Sequence, residues 1–127
     1  MTNINIAING LGRIGKLLLR QLIDRDMNVS LVNEVKGDAV INSELIKYDS
    51  VHGHWKRNID VNKNTITIDK KNIIFSNEPD LEKINIKNID LMIDCTGKNN
   101  NYKSLVKYLS NGAKKVLVSA PIKDKNI

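Results

Sequence analysis

Three glycines near the start of the chain have the spacing of a phosphate-binding turn. Gly10, Gly12 and Gly15 form the pattern G-x-G-x-x-G within "NGLGRIGK". In such a turn the first glycine permits the tight bend, the second lets a phosphate approach the backbone, and the third lets a helix pack closely on a strand. The N–H groups at the start of the next helix would face the phosphate. The pattern alone is also compatible with a purely structural turn.

An acidic residue follows at the distance that a dinucleotide site requires. Glu34 comes 19 positions after Gly15, at the end of the apolar run "VSLVNE". A carboxylate there accepts hydrogen bonds from the hydroxyls of an adenosine ribose and repels a 2′-phosphate. The spacing therefore favours NAD over NADP. Lys36 is a nearby cation, which we interpret as a solvated side chain.

Two later apolar runs also end in small polar residues. Thr96 and Gly97 follow the first run, and Ser119 ends the second. Ligands of open parallel sheets bind outside the carboxyl ends of the strands, so we expect these residues to line the ribose and nicotinamide side of the same groove. Cys95 is expected to be a buried core residue, because no histidine is placed to activate it.

Hydrophobic periodicity predicts the elements that position these residues. Alternation predicts a strand over 3–8, spacings of three and four predict a helix over 13–24, and branched residues predict a strand over 29–34. The remaining predictions are a helix capped by Asp38 that runs to about Lys47, antiparallel strands over 54–76, a polar connection over 79–88 that can hold a helical turn after Pro79, a buried strand within 89–97 that ends in a glycine-containing turn, a helix over 101–110 and a strand ending at Ser119. We expect Ile14, Leu18, Leu19, Leu22 and Ile23 to form the buried face of the first helix, and Leu105, Val106 and Leu109 to face the core. The predicted fold class is α/β, with a Rossmann-type, doubly wound, mostly parallel sheet and an antiparallel excursion at one edge.

The composition is that of one soluble domain. The chain has 127 residues, of which 41% are hydrophobic and 27% charged, close to the average for globular proteins. No apolar run approaches the roughly 20 residues that cross a bilayer, and no signal-peptide pattern is present, so we expect a cytoplasmic location and no membrane partner. His52 and His54 lack the further ligands of a zinc site, and no metal is expected.

The net charge of +6 raises the possibility of nucleic-acid binding. The lysines are scattered and lack interleaved aromatic residues, however, so they are typical of solvated faces and do not favour a nucleic-acid partner. A free-standing dinucleotide- or RNA-binding module without catalytic activity stays open as the alternative function.

Four motifs in order resemble the amino-terminal half of phosphorylating glyceraldehyde-3-phosphate dehydrogenase: "INGLGRIGK", "KYDSVHG", "DCTG" and "KVLVSAPIKD". Erythrose-4-phosphate dehydrogenases share this architecture. The resemblance implies that residues 1–127 are the NAD-binding domain of a cytosolic, homotetrameric enzyme of glycolysis. Such an enzyme oxidises a sugar-phosphate aldehyde held on a cysteine, passes hydride to NAD and releases the thioester to inorganic phosphate.

The resemblance also implies roles for individual residues. Arg13 and Ile14 would meet the pyrophosphate through main-chain N–H groups, and Glu34 would bind the adenine ribose. Tyr48, Asp49 and Ser50 would support the coenzyme fold or subunit contacts. The complete set of expected cofactor-binding residues is Asn9, Gly10, Gly12, Arg13, Ile14, Gly15, Glu34, Asn77, Thr96, Gly97 and Ser119.

Three departures from the family pattern qualify the expectation. Glu34 stands where an aspartate is usual, and this keeps the charge but lengthens the reach. Asn77 replaces a common arginine, so an adenine contact is weakened or lost. The nucleophilic cysteine of the family and the histidine that activates it follow later than Ile127. We therefore assign no catalytic residue, expect the catalytic domain to lie outside this chain, and expect this segment alone to be inactive.

Overall fold

The computed structural model describes residues 4–49, 53–99 and 101–119. Within these ranges the chain forms a seven-stranded sheet, a small two-stranded sheet and three α-helices. The strands are β1 Asn5–Asn9, β2 Asn28–Asn33, β3 Tyr48–Asp49, β4 Gly53–His54, β5 Ile59–Asn62, β6 Thr65–Ile68, β7 Lys71–Ser76, β8 Leu91–Asp94 and β9 Lys115–Val118. The helices are α1 Arg13–Asp24, α2 Ala39–Lys47 and α3 Tyr102–Ser110, and a 3-10 turn covers Leu81–Lys83.

The large sheet has the order β5-β6-β7-β2-β1-β8-β9. Strands β7, β2, β1, β8 and β9 run parallel to one another, whereas β5 and β6 form an antiparallel edge. From β1 the chain builds outward first through β2 and β7, and then in the opposite direction through β8 and β9. The predicted doubly wound α/β fold is thereby confirmed, and the strand order reverses at the carboxyl end of β1, where such folds bind ligands.

Apolar side chains cover both faces of the sheet. Because side chains alternate along a strand, Ile6 and Ile8 of β1 pack on one face and Ala7 on the other. The first face carries helix α1, through Leu19 and Ile23. The second face carries helix α3 and the connection after β7. The glycine turn and the ends of the parallel strands are therefore held between two packed layers.

One strand boundary and some of the buried positions differ from those predicted. The run 89–97, predicted to be a strand that ends in a glycine-containing turn, forms a strand only over Leu91–Asp94, because the Asp94 carboxylate accepts a hydrogen bond from the Thr96 N–H at 2.9 Å and the chain turns out of the sheet there. The prediction that Leu109 faces the core was wrong: its side chain is 46% exposed, and Tyr108 takes the buried position on α3. Leu105 is buried, as expected, and Val106 is half-buried, whereas the prediction that Ile14 lies on the buried face of α1 was wrong, since its side chain is 58% exposed.

Candidate functional site

The three glycines of the turn have different steric surroundings. Gly10 has φ +99°, and a Cβ there would lie 2.9 Å from backbone atoms of Cys95 and Thr96. A Cβ on Gly15 would lie 1.9 Å from the Gly10 carbonyl oxygen. A Cβ on Gly12 would meet nothing within 4 Å. Gly10 and Gly15 are therefore required by the turn itself, whereas the space beside Gly12 is open to a ligand.

Helix α1 begins at this turn without a side-chain cap. Gly12 is the N-cap residue and has no side chain to accept a hydrogen bond, and no acidic residue lies in the first turn. Arg13 and Ile14 are exposed at this end of the helix. The first N–H groups of an α-helix have no partner within the helix and carry a partial positive charge. This end of α1 is therefore suited to an anionic group such as a pyrophosphate.

The Glu34 carboxylate joins the end of β2 to the glycine turn. Its Oε1 accepts a hydrogen bond from the Leu11 N–H at 2.7 Å, and its Oε2 accepts one from the Lys36 N–H at 3.0 Å. A carboxylate oxygen accepts more than one hydrogen bond, so both oxygens keep capacity for a further donor. The group is thus fixed beside the turn and remains able to accept hydrogen bonds from ribose hydroxyls.

Asn77 braces the loop that follows Glu34. Its Nδ2 donates to the Glu34 carbonyl oxygen at 3.0 Å and to the Gly37 carbonyl oxygen at 2.7 Å. The two N–H groups of this amide are both engaged by the backbone. Asn77 therefore shapes the loop through these two hydrogen bonds, and this assigns the residue a role that the sequence did not indicate.

The ends of β8 and β9 meet on the other side of the turn. Thr96 donates to Asp94 Oδ1 from its backbone N–H and from its hydroxyl, at 2.9 and 2.7 Å. The Ser119 N–H donates to the Asp94 carbonyl oxygen at 3.0 Å. Gly97 occupies the turn with φ +74°, a conformation that favours glycine. Thr96, Gly97 and Ser119 are thereby brought to the same edge of the sheet as the glycine turn.

Cys95 lies between the two sides of the site. It is half-buried rather than fully buried and packs against the apolar layer that carries α1. Burial raises the pKa of the Cys95 thiol, and a hydrogen bond with the Ser119 hydroxyl acts in the opposite direction. The side chain is therefore a thiol at neutral pH, and the nucleophile of a thiolate mechanism would not form here.

These elements enclose a groove of about 350 Å³ at the point where the strand order reverses. Five of the predicted residues line it together: Asn9, Gly10, Gly12, Glu34 and Thr96. Of the other predicted residues, Arg13, Asn77 and Gly97 adjoin this lining in the chain, Gly15 and Ser119 lie beside Cys95, and Ile14 is exposed at the start of α1 without lining the groove. The groove is also lined by residues that the sequence reasoning did not assign to it: Val35, Lys36, Glu78, Pro79, Leu81, Cys95, Lys98 and Asn99.

The position of β7 could have revealed several of these additional residues. Glu78 and Pro79 follow the carboxyl end of β7, which neighbours β2 in the sheet. The rule that places ligands outside the carboxyl ends of parallel strands applies to this strand as well. The sequence pattern predicts antiparallel edge strands over 54–76, whereas β7 pairs in parallel with β2 and so brings its carboxyl end to the groove.

Some predicted features lie away from the groove. His54 stacks on the Tyr48 ring, with the ring centroids 5.0 Å apart, in the small sheet of β3 and β4. Ser50 and His52 lie outside the described residues. No helix in the described ranges is long and apolar enough to cross a membrane.

Comparisons with known proteins agree on one family. A family model described as "Glyceraldehyde 3-phosphate dehydrogenase, NAD binding domain" matches residues 4–102. Glyceraldehyde-3-phosphate dehydrogenase of Mycoplasma pneumoniae is 36% identical over 127 residues, which cover 98% of this chain and 37% of that protein. The enzyme of Geobacillus stearothermophilus is 37% identical over 127 residues, covering 98% of this chain and 38% of that protein. The chain thus spans less than two fifths of these relatives.

Proposed function

This chain belongs to the glyceraldehyde-3-phosphate dehydrogenase family, whose NAD-binding domain it matches, and we propose that it is the coenzyme-binding part of a phosphorylating aldehyde dehydrogenase. Its cofactor is NAD. The complete reaction would oxidise a sugar-phosphate aldehyde, reduce NAD and transfer the acyl group to inorganic phosphate. The proposed substrate is a three-carbon or a four-carbon sugar phosphate. The complete enzyme would be a homotetramer and would be located in the cytoplasm.

One observation carries the proposal: the turn, the free end of α1 and the Glu34 carboxylate meet in a single groove at the switch point of the sheet. A pyrophosphate would lie beside Gly12 and bind the first N–H groups of α1, at Arg13 and Ile14. The adenosine ribose would donate its hydroxyls to Glu34. The nicotinamide half would extend toward Thr96 and the end of β9.

In the complete reaction this chain would bind NAD, which is the hydride acceptor. Bound NAD supplies the redox chemistry, and the residues of the groove orient it. Cys95 is kept as a thiol by burial, and its neighbour is the Ser119 hydroxyl rather than a base. The nucleophilic cysteine that would hold the aldehyde, and the histidine that would activate it, therefore have to come from outside the described residues.

Gly12→Ala tests the placement of the pyrophosphate. An alanine Cβ meets no atom within 4 Å and Gly12 has φ −70°, which favours the variant, whereas alanine is a poorer N-cap residue than glycine, so the stability should stay within about 1 kcal/mol of the wild type. The same methyl group would occupy the space that a phosphate needs, so NAD affinity should fall at least about tenfold, which is about 1.4 kcal/mol. Thermal unfolding and calorimetric titration with NAD measure the two effects.

The matched control is Lys16→Ala, on the same helix beyond the turn, which should change NAD affinity less than about threefold. Wild-type affinity in Gly12→Ala would show that no phosphate approaches the backbone here. A failure of the wild-type chain to bind NAD would contradict the proposed function itself.

A further inference from the structure

A chain of hydrogen bonds between side chains runs beneath the groove and joins the carboxyl ends of four neighbouring strands. At β7, Ser76 Oγ donates to Asn33 Oδ1 at 2.6 Å. Asn33 Nδ2 donates to Asn9 Oδ1 at 2.9 Å, and Asn9 Nδ2 donates to the Tyr108 hydroxyl at 2.7 Å. That hydroxyl donates to Asp94 Oδ2 at 2.5 Å. Each donor points toward the next acceptor, so the chain is polarised in one direction and ends at a carboxylate.

Asp94 has no exposed surface, and its described hydrogen bonds come from uncharged donors. Besides Tyr108, these donors are Thr96, through its N–H and hydroxyl, and Asn99, whose Nδ2 lies 2.9 Å from Asp94 Oδ2. A buried carboxylate without a cation is stabilised only by such donors. Thr96 and Asn99 both line the groove. Asp94 therefore ties one wall of the groove to the buried layer beneath it.

Tyr108 connects that wall to the glycine turn. It is fully buried on α3 and does not line the groove. Burial, reinforced by the charge of Asp94, raises the pKa of the Tyr108 hydroxyl well above the ordinary value of a tyrosine. The hydroxyl therefore stays protonated, donates a hydrogen bond to Asp94 and accepts one from Asn9. Asn9 in turn directly precedes Gly10.

We propose that Tyr108 is a positioning residue for NAD. Through Asp94 it fixes the turn at 96–99, and through Asn9 it fixes the start of the glycine turn, so the two walls of the groove hold their separation before the coenzyme arrives. A preformed site binds more tightly because less ordering is left to occur on binding. The inference rests on the proposed function and adds a residue that does not touch the coenzyme.

Tyr108→Phe is the direct test, because it removes one oxygen atom and keeps the ring. The variant leaves the Asn9 amide without its acceptor and Asp94 without one donor, so NAD affinity of the full chain should fall about tenfold. Affinity for AMP should change less than about twofold, since AMP would use the Glu34 side of the groove. A shift in the ratio of the two affinities is not expected from a general loss of stability.

Leu105→Ala is the matched control, because Leu105 lies buried on the same helix and packs in the apolar layer on that face of the sheet. It should lower the melting temperature while the folded protein, titrated well below that temperature, keeps wild-type affinities for NAD and AMP. If Tyr108→Phe does not fold, Asp94→Asn alters the same Tyr108–Asp94 hydrogen bond at a residue that does not line the groove, and it should produce the same split between NAD and AMP.

Equal losses for NAD and AMP, or an unchanged NAD affinity in a folded variant, would overturn the positioning role. These results are distinguishable from failure of the proposed function, in which the wild-type chain itself would not bind NAD.

Discussion

A Cβ on Gly15 would lie 1.9 Å from the Gly10 carbonyl oxygen, whereas one on Gly12 would meet no atom within 4 Å. The first contact is impossible without moving helix α1 away from β1. The space beside Gly12 is not filled by any atom of the described residues, and it would let a phosphate approach the backbone. At the scale of single residues, the motif therefore divides into a structural part and a ligand-binding part.

Cys95 provides a test of the groove that uses the native chain. Because burial raises its pKa, the thiol should react with iodoacetamide at neutral pH much more slowly than the same cysteine in urea. Cys95 lines the groove, so saturating NAD should slow the reaction further. Mass spectrometry of the single cysteine gives both rates. A rate equal to that of the unfolded chain, or one that NAD does not change, would contradict this environment.

Residue spacing predicted which side chains would meet, because glycine turns and strand ends have known positions in this fold. It did not predict how those side chains are used. The amide of Asn77 is engaged by two backbone carbonyls, and the amide of Asn9 lies between Asn33 and Tyr108. Tyr108 carries no local signal, since only the folded sheet brings its hydroxyl to Asp94.

At the scale of elements, periodicity predicted the helices and most strands, and it failed where a tertiary contact sets the boundary. Strand β8 stops early because Asp94 bonds to the turn that follows it. In β2, Val29 pairs with Ile6 and Leu31 pairs with Ala7, so Ser30 forms a bulge. A bulge depends on the partner strand, and no pattern within "VSLVNE" indicates it.

Arg57 joins the edge hairpin to the end of α1, and this contact predicts a pH dependence. Its guanidinium lies 2.8 Å from Asp69 Oδ2 and 2.8 Å from Asp24 Oδ1. The hydrogen bond from Arg57 holds the pKa of Asp69 below its ordinary value, with help from the Asn58 N–H. Such a carboxylate contributes stability that is complete above the unfolded pKa, about 4, and is lost as pH falls through the lower folded pKa.

In Arg57→Gln the pKa of Asp69 should therefore rise toward its ordinary value, and less stability should be lost on acidification below pH 4. An NMR titration of the Asp69 carboxyl carbon measures the shift. Lys56→Gln, an exposed neighbour, is the control and should leave that pKa unchanged. An unaltered Asp69 pKa in Arg57→Gln would show that the contact does not persist in solution.

At the scale of the whole molecule, the order of the strands explains why distant segments form one site. Strand β1 lies centrally, and the segments that follow β2, β7 and β8 converge at its carboxyl end. Two of the lysines are paired with carboxylates on different parts of the sheet, Lys71 with Asp26 and Lys114 with Asp90. The comparisons support the dehydrogenase interpretation over a free-standing RNA-binding module.

We propose that this groove binds NAD and that the charge of Glu34 selects NAD against NADP. Glu34→Gln should reduce the discrimination, and Glu78→Gln, which alters another carboxylate of the groove, should preserve it. The most direct measurement is calorimetric titration of the wild-type chain with NAD and with NADP in the same buffer. We expect one NAD per chain and at least about tenfold weaker NADP binding. Equal or tighter binding of NADP, or no binding of NAD, would contradict the claim.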